Sequence, residues 1–110
     1  MKKDPTFYLD HIMEAINKIN KYSKGMDSHE FLKNTLVQDA TVRNIEIIGE
    51  AVKNLPHDFK KKNKDIPWKD IAGMRDRIAH FYFGIDYRLV WDTIKKDIPE
   101  LKKRIQALIK

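Results

Sequence analysis

A long helical pattern runs from Thr35 to Leu55 and reads TLVQDATVRNIEIIGEAVKNL. Pro56 follows directly and ends the helix, because proline has no N–H to donate to the hydrogen-bond ladder. Glycine inside a helix costs about 1 kcal/mol relative to alanine, so we expect Gly49 to permit close approach of another helix. Apolar residues recur every three or four positions and predict the buried face: Leu36 or Val37, Ala40, Ile45, Ile47 or Ile48, Ala51 and Leu55.

Three charged residues of this helix, Arg43, Glu46 and Glu50, lie three and four positions apart and share one side. One interpretation is an ordinary ladder of salt bridges within the helix. The other is that Glu46 or Glu50 holds an arginine from a different helix. The spacing favours the first interpretation and leaves the second open.

The chain before Thr35 predicts an amphipathic helix. Asp4 is its N-cap and Pro5 its first residue, and Gly25 is a natural C-terminal stop. Ser28 then predicts a short helical turn or a second N-cap. The apolar face of the first helix is formed by residues at helical spacing: Tyr8, Leu9, Ile12, Met13, Ala15, Ile16 and Ile19.

The chain after Pro56 begins with a lysine-rich segment, residues 57–64, which we expect to be a short helix or loop. Pro67 opens a helix that we expect to fray between Phe81 and Gly84. The apolar side of this helix is Trp68, Ile71 or Ala72, Met74 or Arg75, and Ile78.

Asp86 caps the next predicted helix. Pro99 lies inside otherwise helical sequence, so we expect a kink or a break there. The apolar stripe before Pro99 is Leu89, Val90, Ile94 and Ile98, with Trp91 beside it, and the stripe after it is Leu101, Ile105, Leu108 and Ile109. Together these patterns predict one all-α domain over residues 1–110, a bundle of four or five helices.

Composition narrows the class of protein. The chain has no cysteine, which excludes disulfides and thiolate metal sites and fits a cytoplasmic location. No apolar run approaches the ~20 residues that span a bilayer, so we expect no membrane partner. The net charge of +6 favours a polyanionic partner. Lysine runs at residues 60–64 and 102–104 could contact phosphates, although a solvated surface also accounts for them.

The stretch GMRDRIAHFYFG, residues 73–84, concentrates chemically active groups. Arg75 offers a planar, permanently charged fork that suits phosphate. His80 can act as acid or base near neutral pH. Asp76 precedes it by four positions and would share its face on a helix, where it could orient the imidazole. Tyr82 follows, with a hydroxyl that can stay exposed.

These groups are the components of metal-independent RNA cleavage. A base deprotonates the 2′-hydroxyl, a cation stabilises the phosphorane, and an acid protonates the leaving oxygen. One histidine cannot easily serve as base and acid in the same step, so a two-fold dimer that pairs two copies is expected. No phosphate-cradling glycine loop is present, and we expect neither a metal site nor a cofactor.

The spacing Arg75, four residues, His80, one residue, Tyr82 resembles the signature of HepT-type toxins, within the HEPN superfamily of helical ribonucleases. The resemblance covers essentially the whole chain, in the order of the family. It is carried by YLDHI at 8–12, RNIEIIGEA at 43–51, IPW at 66–68, IAGMR at 71–75, VW at 90–91 and IPEL at 98–101.

The resemblance implies a homodimeric HEPN bundle with the motifs of two protomers lining one cleft. It implies an endoribonuclease toxin of a type VII system, in which Arg75 and His80 are catalytic and the substrate is an RNA such as tRNA or mRNA. It also implies an antitoxin partner, a minimal nucleotidyltransferase of the MntA type, that transfers AMP from ATP to Tyr82.

Two points remain open at the level of sequence. The family most often has asparagine after the motif arginine, whereas this chain has Asp76, which adds negative charge beside the phosphate site. The chain could alternatively be a non-catalytic helical subunit that binds substrate for a nucleotidyltransferase.

Overall fold

The computed structural model describes residues 4–80 and 84–109, and the side chain of His80 lies outside this description. The described chain is an all-α bundle, as predicted, with one very short β-hairpin. None of the described helices is both long enough and apolar enough to cross a membrane. The helices are α1 (Pro5–Ser23), α2 (Ser28–Lys33), α3 (Thr35–Asn54), α4 (His57–Lys62), α5 (Trp68–Ala72), α6 (Met74–Ile78), α7 (Tyr87–Asp92) and α8 (Ile98–Ile109).

Side chains that the sequence offers as caps define several helix ends. The Asp4 carboxylate accepts from the backbone N–H of Thr6 at 2.8 Å, with Pro5 as the first helical residue. Asp86 caps α7 in the same way. The cap of α2 is Asp27, one residue before the predicted Ser28, and it forms a reciprocal capping box with Glu30. After α1 the chain turns at Gly25, whose φ of +78° suits glycine.

The core lies where α1 and α3 pack along each other and α8 closes the other side of α1. Phe31 of α2 is fully buried and faces Trp91 of α7, with ring centroids 5.3 Å apart. The predicted apolar faces account for most of this core. Its largest fully buried side chains include Ile12, Ile16, Ile19, Ile45, Ile48, Ile78, Val90, Ile98 and Ile105.

Two residues of the predicted apolar stripes are exposed, Leu89 by 41% and Ile109 by 43%. Of the alternatives Leu36 and Val37, Val37 packs against the core and Leu36 is 78% exposed, whereas polar residues of α3 take core positions. Gln38 is buried because its side-chain amide donates to the Phe31 carbonyl at 2.9 Å. Asn44 similarly donates to the Ala40 carbonyl at 2.8 Å. Burial of a polar side chain costs little when such a hydrogen bond is made, so the periodicity of apolar residues alone did not identify these two members of the buried face.

Gly49 permits the close approach that its position predicts. A Cβ atom added there would lie 3.2 Å from the backbone carbonyl oxygen of Ala72 in α5. That distance is tighter than ordinary van der Waals contact, so the two helix backbones meet at the glycine.

The helix predicted after Pro67 is divided and ends early. Gly73 separates α5 from α6, and α6 ends at Ile78 rather than fraying beyond Phe81. Ala79 and His80 form strand β1 (Ala79–His80), which pairs antiparallel with β2 (Gly84–Ile85). Gly84 has a φ of +78°, a conformation that favours glycine. Residues 81–83 lie outside the described part of the chain.

Of the kink or break expected at Pro99, the break does not occur. The backbone continues from α7 through a π-helical segment, Thr93–Asp97, into α8, and Ile98 keeps helical φ and ψ. The Ile98 N–H donates to the Thr93 carbonyl, five residues back. This wider turn lies directly before the proline, which has no N–H for an α-helical bond. The helix therefore accommodates Pro99 by a local change of hydrogen-bond register.

Replacing Gly49 by valine should lower the free energy of unfolding by about 1–3 kcal/mol, because the added side chain meets the Ala72 carbonyl. Urea denaturation measures the change. Leu36→Val, at an exposed position of the same helix, is the control and should shift stability by less than about 0.5 kcal/mol. Equal stability of the two variants would show that the helices do not meet at Gly49.

Candidate active site

Arg75 lies on α6 and faces α3. Its Nε atom is 3.5 Å from Oε2 of Glu46, and the two side chains are 38% and 41% exposed. The Nε atom itself is buried and makes no hydrogen bond, so the exposed surface of Arg75 belongs to other atoms of the side chain. The interpretation in which a glutamate of the long helix holds an arginine from a different helix is therefore confirmed for Glu46.

The alternative, a salt-bridge ladder along α3, is wrong for these three residues. Glu50 pairs with Lys53 at 3.8 Å rather than with Arg43. Within the described residues Arg43 forms neither an ion pair nor a side-chain hydrogen bond, and its side chain is exposed. As far as the described residues go, Arg43 is therefore a cation without an internal partner.

A cavity of about 260 Å³ is lined by residues of α3, α5 and α6 beside the contact between Arg75 and Glu46. Three cations and three anions line it, so its charge is balanced rather than strongly positive. Arg75 nevertheless contributes a guanidinium whose fork geometry matches a phosphate group. The lining residues are Arg43, Glu46, Gly49, Glu50, Lys53, Ala72, Arg75 and Asp76.

The structure changes the expected relation between Asp76 and His80. Asp76 lies on α6, is exposed, and borders the cavity of Arg75. The helix ends at Ile78, and Ala79 has extended φ and ψ, so Asp76 and His80 do not share a helical face. The backbone of His80 belongs to β1. The His80 side chain and all of Tyr82 lie outside the described residues, so their roles stay predictions.

Arg77, two residues after Arg75, has a structural environment that the sequence did not single out. Its Nη1 donates to the Asp70 carbonyl at 2.8 Å, and its Nη2 lies 3.7 Å from Asp97 of the π-helical segment. It therefore joins α5, α6 and the C-terminal helix. The spacing to His80 singles out Arg75 in the sequence, but no sequence signal indicates the structural contacts of Arg77, because its partners are brought to it only by the fold.

The two basic runs prove to be partly engaged in packing. Lys60 Nζ donates to the Val52 carbonyl at 3.2 Å, which ties α4 to α3. Arg104 pairs with Glu100 at 3.1 Å and also donates to the Asp65 carbonyl. In the part of the chain that the structure describes, no group of three or more histidine and acidic side chains is placed to hold a metal ion.

Comparison with known proteins supplies the family. A family model described as "Ribonuclease HepT-like" matches residues 12–108, nearly the whole chain. The chain belongs to the HepT-like ribonuclease family. This result confirms the resemblance that the motif Arg75, His80 and Tyr82 indicated, and the all-α bundle agrees with a HEPN-type fold.

Two relatives that align with this chain over nearly its full length support this assignment. A protein from Thermococcus cleftensis named "Probable ribonuclease HepT" is 44% identical over 110 residues, covering all of both chains. One from Caldanaerobacter subterraneus subsp. tengcongensis, "Putative RNase TTE0752", is 47% identical and covers 97% of this chain and 96% of its own. No solved structure matches the chain.

A third relative, from Methanocaldococcus jannaschii, differs in length. It is named "Gamma-glutamylcyclotransferase and putative RNase MJ0434" and is 48% identical over 109 residues. The match takes in 99% of this chain but 49% of that protein. The HepT-like domain therefore also occurs joined to further sequence.

Arg75→Ala and Arg77→Ala should differ in their effect on stability. Arg77→Ala removes a hydrogen bond to a backbone carbonyl and should lower the free energy of unfolding by about 1 kcal/mol. Arg75→Ala removes a partly exposed ion pair without a hydrogen bond and should cost less than about 0.5 kcal/mol. Urea denaturation measures both. A larger loss for Arg75→Ala would assign Arg75 a structural role.

Proposed function

We propose that this chain is a metal-independent endoribonuclease toxin that cleaves RNA with Arg75 and His80. The observation that carries the proposal is the environment of Arg75. Within the described residues its guanidinium pairs through Nε with Glu46, at the edge of an open cavity. Membership in the HepT-like ribonuclease family supports RNA, such as tRNA or mRNA, as the substrate class.

Arg75 would bind the scissile phosphate and stabilise the phosphorane. The ion pair at Nε would restrict the direction of the guanidinium, while its two terminal amino groups can still donate a pair of parallel hydrogen bonds. Because such donors are aligned before the reaction, they stabilise the negative charge that develops in the transition state without reorganisation. Glu46 thus contributes orientation, and Arg75 contributes the charge.

His80 would transfer the protons. The attacking 2′-hydroxyl must lose a proton while the leaving 5′-oxygen gains one, and a single imidazole does not do both at once. A two-fold homodimer that pairs two copies of the motif would provide one histidine as base and the other as acid. Asp76, which borders the cavity of Arg75, would support the site from one side.

Removing Arg75 should abolish cleavage. Purified Arg75→Ala should cleave RNA at least about 100-fold more slowly than the wild type, the usual cost of losing a preorganised charge donor. Arg77→Ala is the matched control. It removes the same type of side chain two residues after Arg75, at a position where the arginine makes a structural contact, and it should retain most of the activity. His80→Ala should lose activity as Arg75→Ala does.

The assay is gel-resolved cleavage of an RNA mixture, run with and without a chelator. Cleavage by the wild type that survives the chelator and disappears in Arg75→Ala and His80→Ala supports the proposal. Absence of cleavage by the wild type, together with tight binding to a nucleotidyltransferase, would instead support the non-catalytic subunit. Chelator-sensitive cleavage would contradict a metal-independent mechanism.

We further propose that Tyr82 is the site of control. A minimal nucleotidyltransferase antitoxin of the MntA type would transfer AMP from ATP to its hydroxyl, with release of pyrophosphate. Tyr82 is two residues from His80 in the sequence. An adenylyl group there adds negative charge and bulk, which would repel a polyanionic substrate.

Intact-mass measurement tests this control. Protein co-expressed with a minimal nucleotidyltransferase of the MntA type should carry one or more AMP units, which peptide mapping should locate on Tyr82, and should lack RNase activity. Tyr82→Phe should stay unmodified and active under the same co-expression. An unmodified wild-type chain after co-expression would refute the modification and leave the ribonuclease proposal to the cleavage assay.

A further inference from the structure

A second cavity adjoins that of Arg75, on the other side of α3. It has a volume of about 310 Å³ and lies between α1 and α3. The rings of Phe7 and His11, with centroids 4.6 Å apart, form one wall. Ile47 and Ala51 form an aliphatic surface on the α3 side. The second cavity is therefore largely apolar, unlike the polar cavity of Arg75.

The two cavities share two lining residues, Arg43 and Glu50. These residues are seven apart on α3, so they form a ridge along one line of the helix. Glu46 lies on the Arg75 side of the ridge, and Ile47 lies on the other side. The two cavities are therefore neighbouring parts of one surface groove that crosses α3.

We propose that the apolar cavity is a nucleobase subsite, which takes the base of a nucleotide that flanks the phosphate bound at Arg75. This subsite rests on the proposed function, since it presumes that RNA lies at Arg75. A nucleotide joins an anionic phosphate to a flat, apolar ring with polar edges. The groove has two matching parts side by side: one contains a guanidinium, and the next is lined by aromatic and aliphatic side chains.

Stacking would hold the base. Bases stack on aromatic side chains in single-stranded RNA complexes with little dependence on sequence, because every base has a π-face. The Phe7 ring is 42% exposed and borders the cavity. The wall formed by Phe7 and His11 would therefore pack on the base from one side, and Ile47 from the other.

Polar groups at the rim would contact the rest of the nucleotide. Arg43 has no ion pair within the described residues and faces both cavities, so it would bind the phosphate between them. The Asn54 side chain is fixed by donating to the Glu50 carbonyl at 2.8 Å. Its amide oxygen and second N–H can then pair with the edge of the base.

The test compares binding of a short single-stranded RNA, which carries a 2′-deoxy sugar at the cleavage site where cleavage occurs, with copies of it that each lack one base. Every position is tried in turn. Fluorescence anisotropy with wild-type protein should show about tenfold weaker binding of one abasic RNA. Ile47→Ala should weaken binding of the intact RNA by a similar factor and leave that abasic RNA unaffected.

Three further variants separate the parts of the groove. Leu36→Ala, at an exposed position of α3 outside both cavities, is the control and should bind both RNAs as the wild type does. Arg43→Ala should weaken binding of both RNAs equally and reduce the salt dependence, as expected for a phosphate contact. Asn54→Ala, at an exposed site, repeats the test of the base subsite if Ile47→Ala fails to fold.

Equal binding of intact and abasic RNAs, or additive losses for Ile47→Ala and base removal, would overturn the subsite. A change in oligomeric state of Ile47→Ala by analytical ultracentrifugation, with no effect of base removal, would also overturn it and assign this face to a protein contact. The binding assay does not need catalysis. A wild type that binds with the expected base dependence but cleaves nothing would refute the ribonuclease proposal and retain the base subsite.

Discussion

The contact between the Gly49 position of α3 and the Ala72 carbonyl of α5 is the constraint on which the site depends. Because glycine has no side chain, the two backbones approach until an added Cβ would lie 3.2 Å from that carbonyl oxygen. Ala72 is followed by Gly73 and then by α6, so the contact also fixes where α6 begins against α3. Arg75, in the first turn of α6, is thereby brought to Glu46, one turn before Gly49. A larger side chain at residue 49 would separate the two halves of the site.

The ion pair between Arg75 and Glu46 orients the guanidinium more than it stabilises the fold. Both side chains are more than one third exposed, and the contact at 3.5 Å is made at Nε without a hydrogen bond. Such a pair contributes little to folding, yet it restricts the direction of the guanidinium. The neighbouring Arg77 shows the contrast, since it is bound to a backbone carbonyl and to Asp97 and is used to join helices. The two arginines of α6 thus differ: Arg77 joins helices, whereas Arg75 faces the cavity.

Much of the fold could be predicted from local sequence chemistry. Asp4, Pro5, Gly25, Pro56 and Asp86 mark helix ends through capping and backbone geometry, which depend on nearby residues only. The predictions failed where long-range packing decides. Leu89 is exposed although it fits the apolar period, and Gln38 is buried because Phe31 offers it a carbonyl. Pro99 does not break its helix, because a π-helical turn precedes it.

For the candidate site, the sequence by itself determined the residue types and their order, and its match over residues 12–108 determined the family. Only the tertiary structure decided which glutamate holds Arg75, since Glu46 and Glu50 are equivalent on the helix and differ only in what packs against them. It also decided that Asp76 and His80 do not share a helical face, because the chain becomes extended at Ala79. The physical reason is the same in both cases: helical spacing describes one helix, whereas the site is built between α3 and α6.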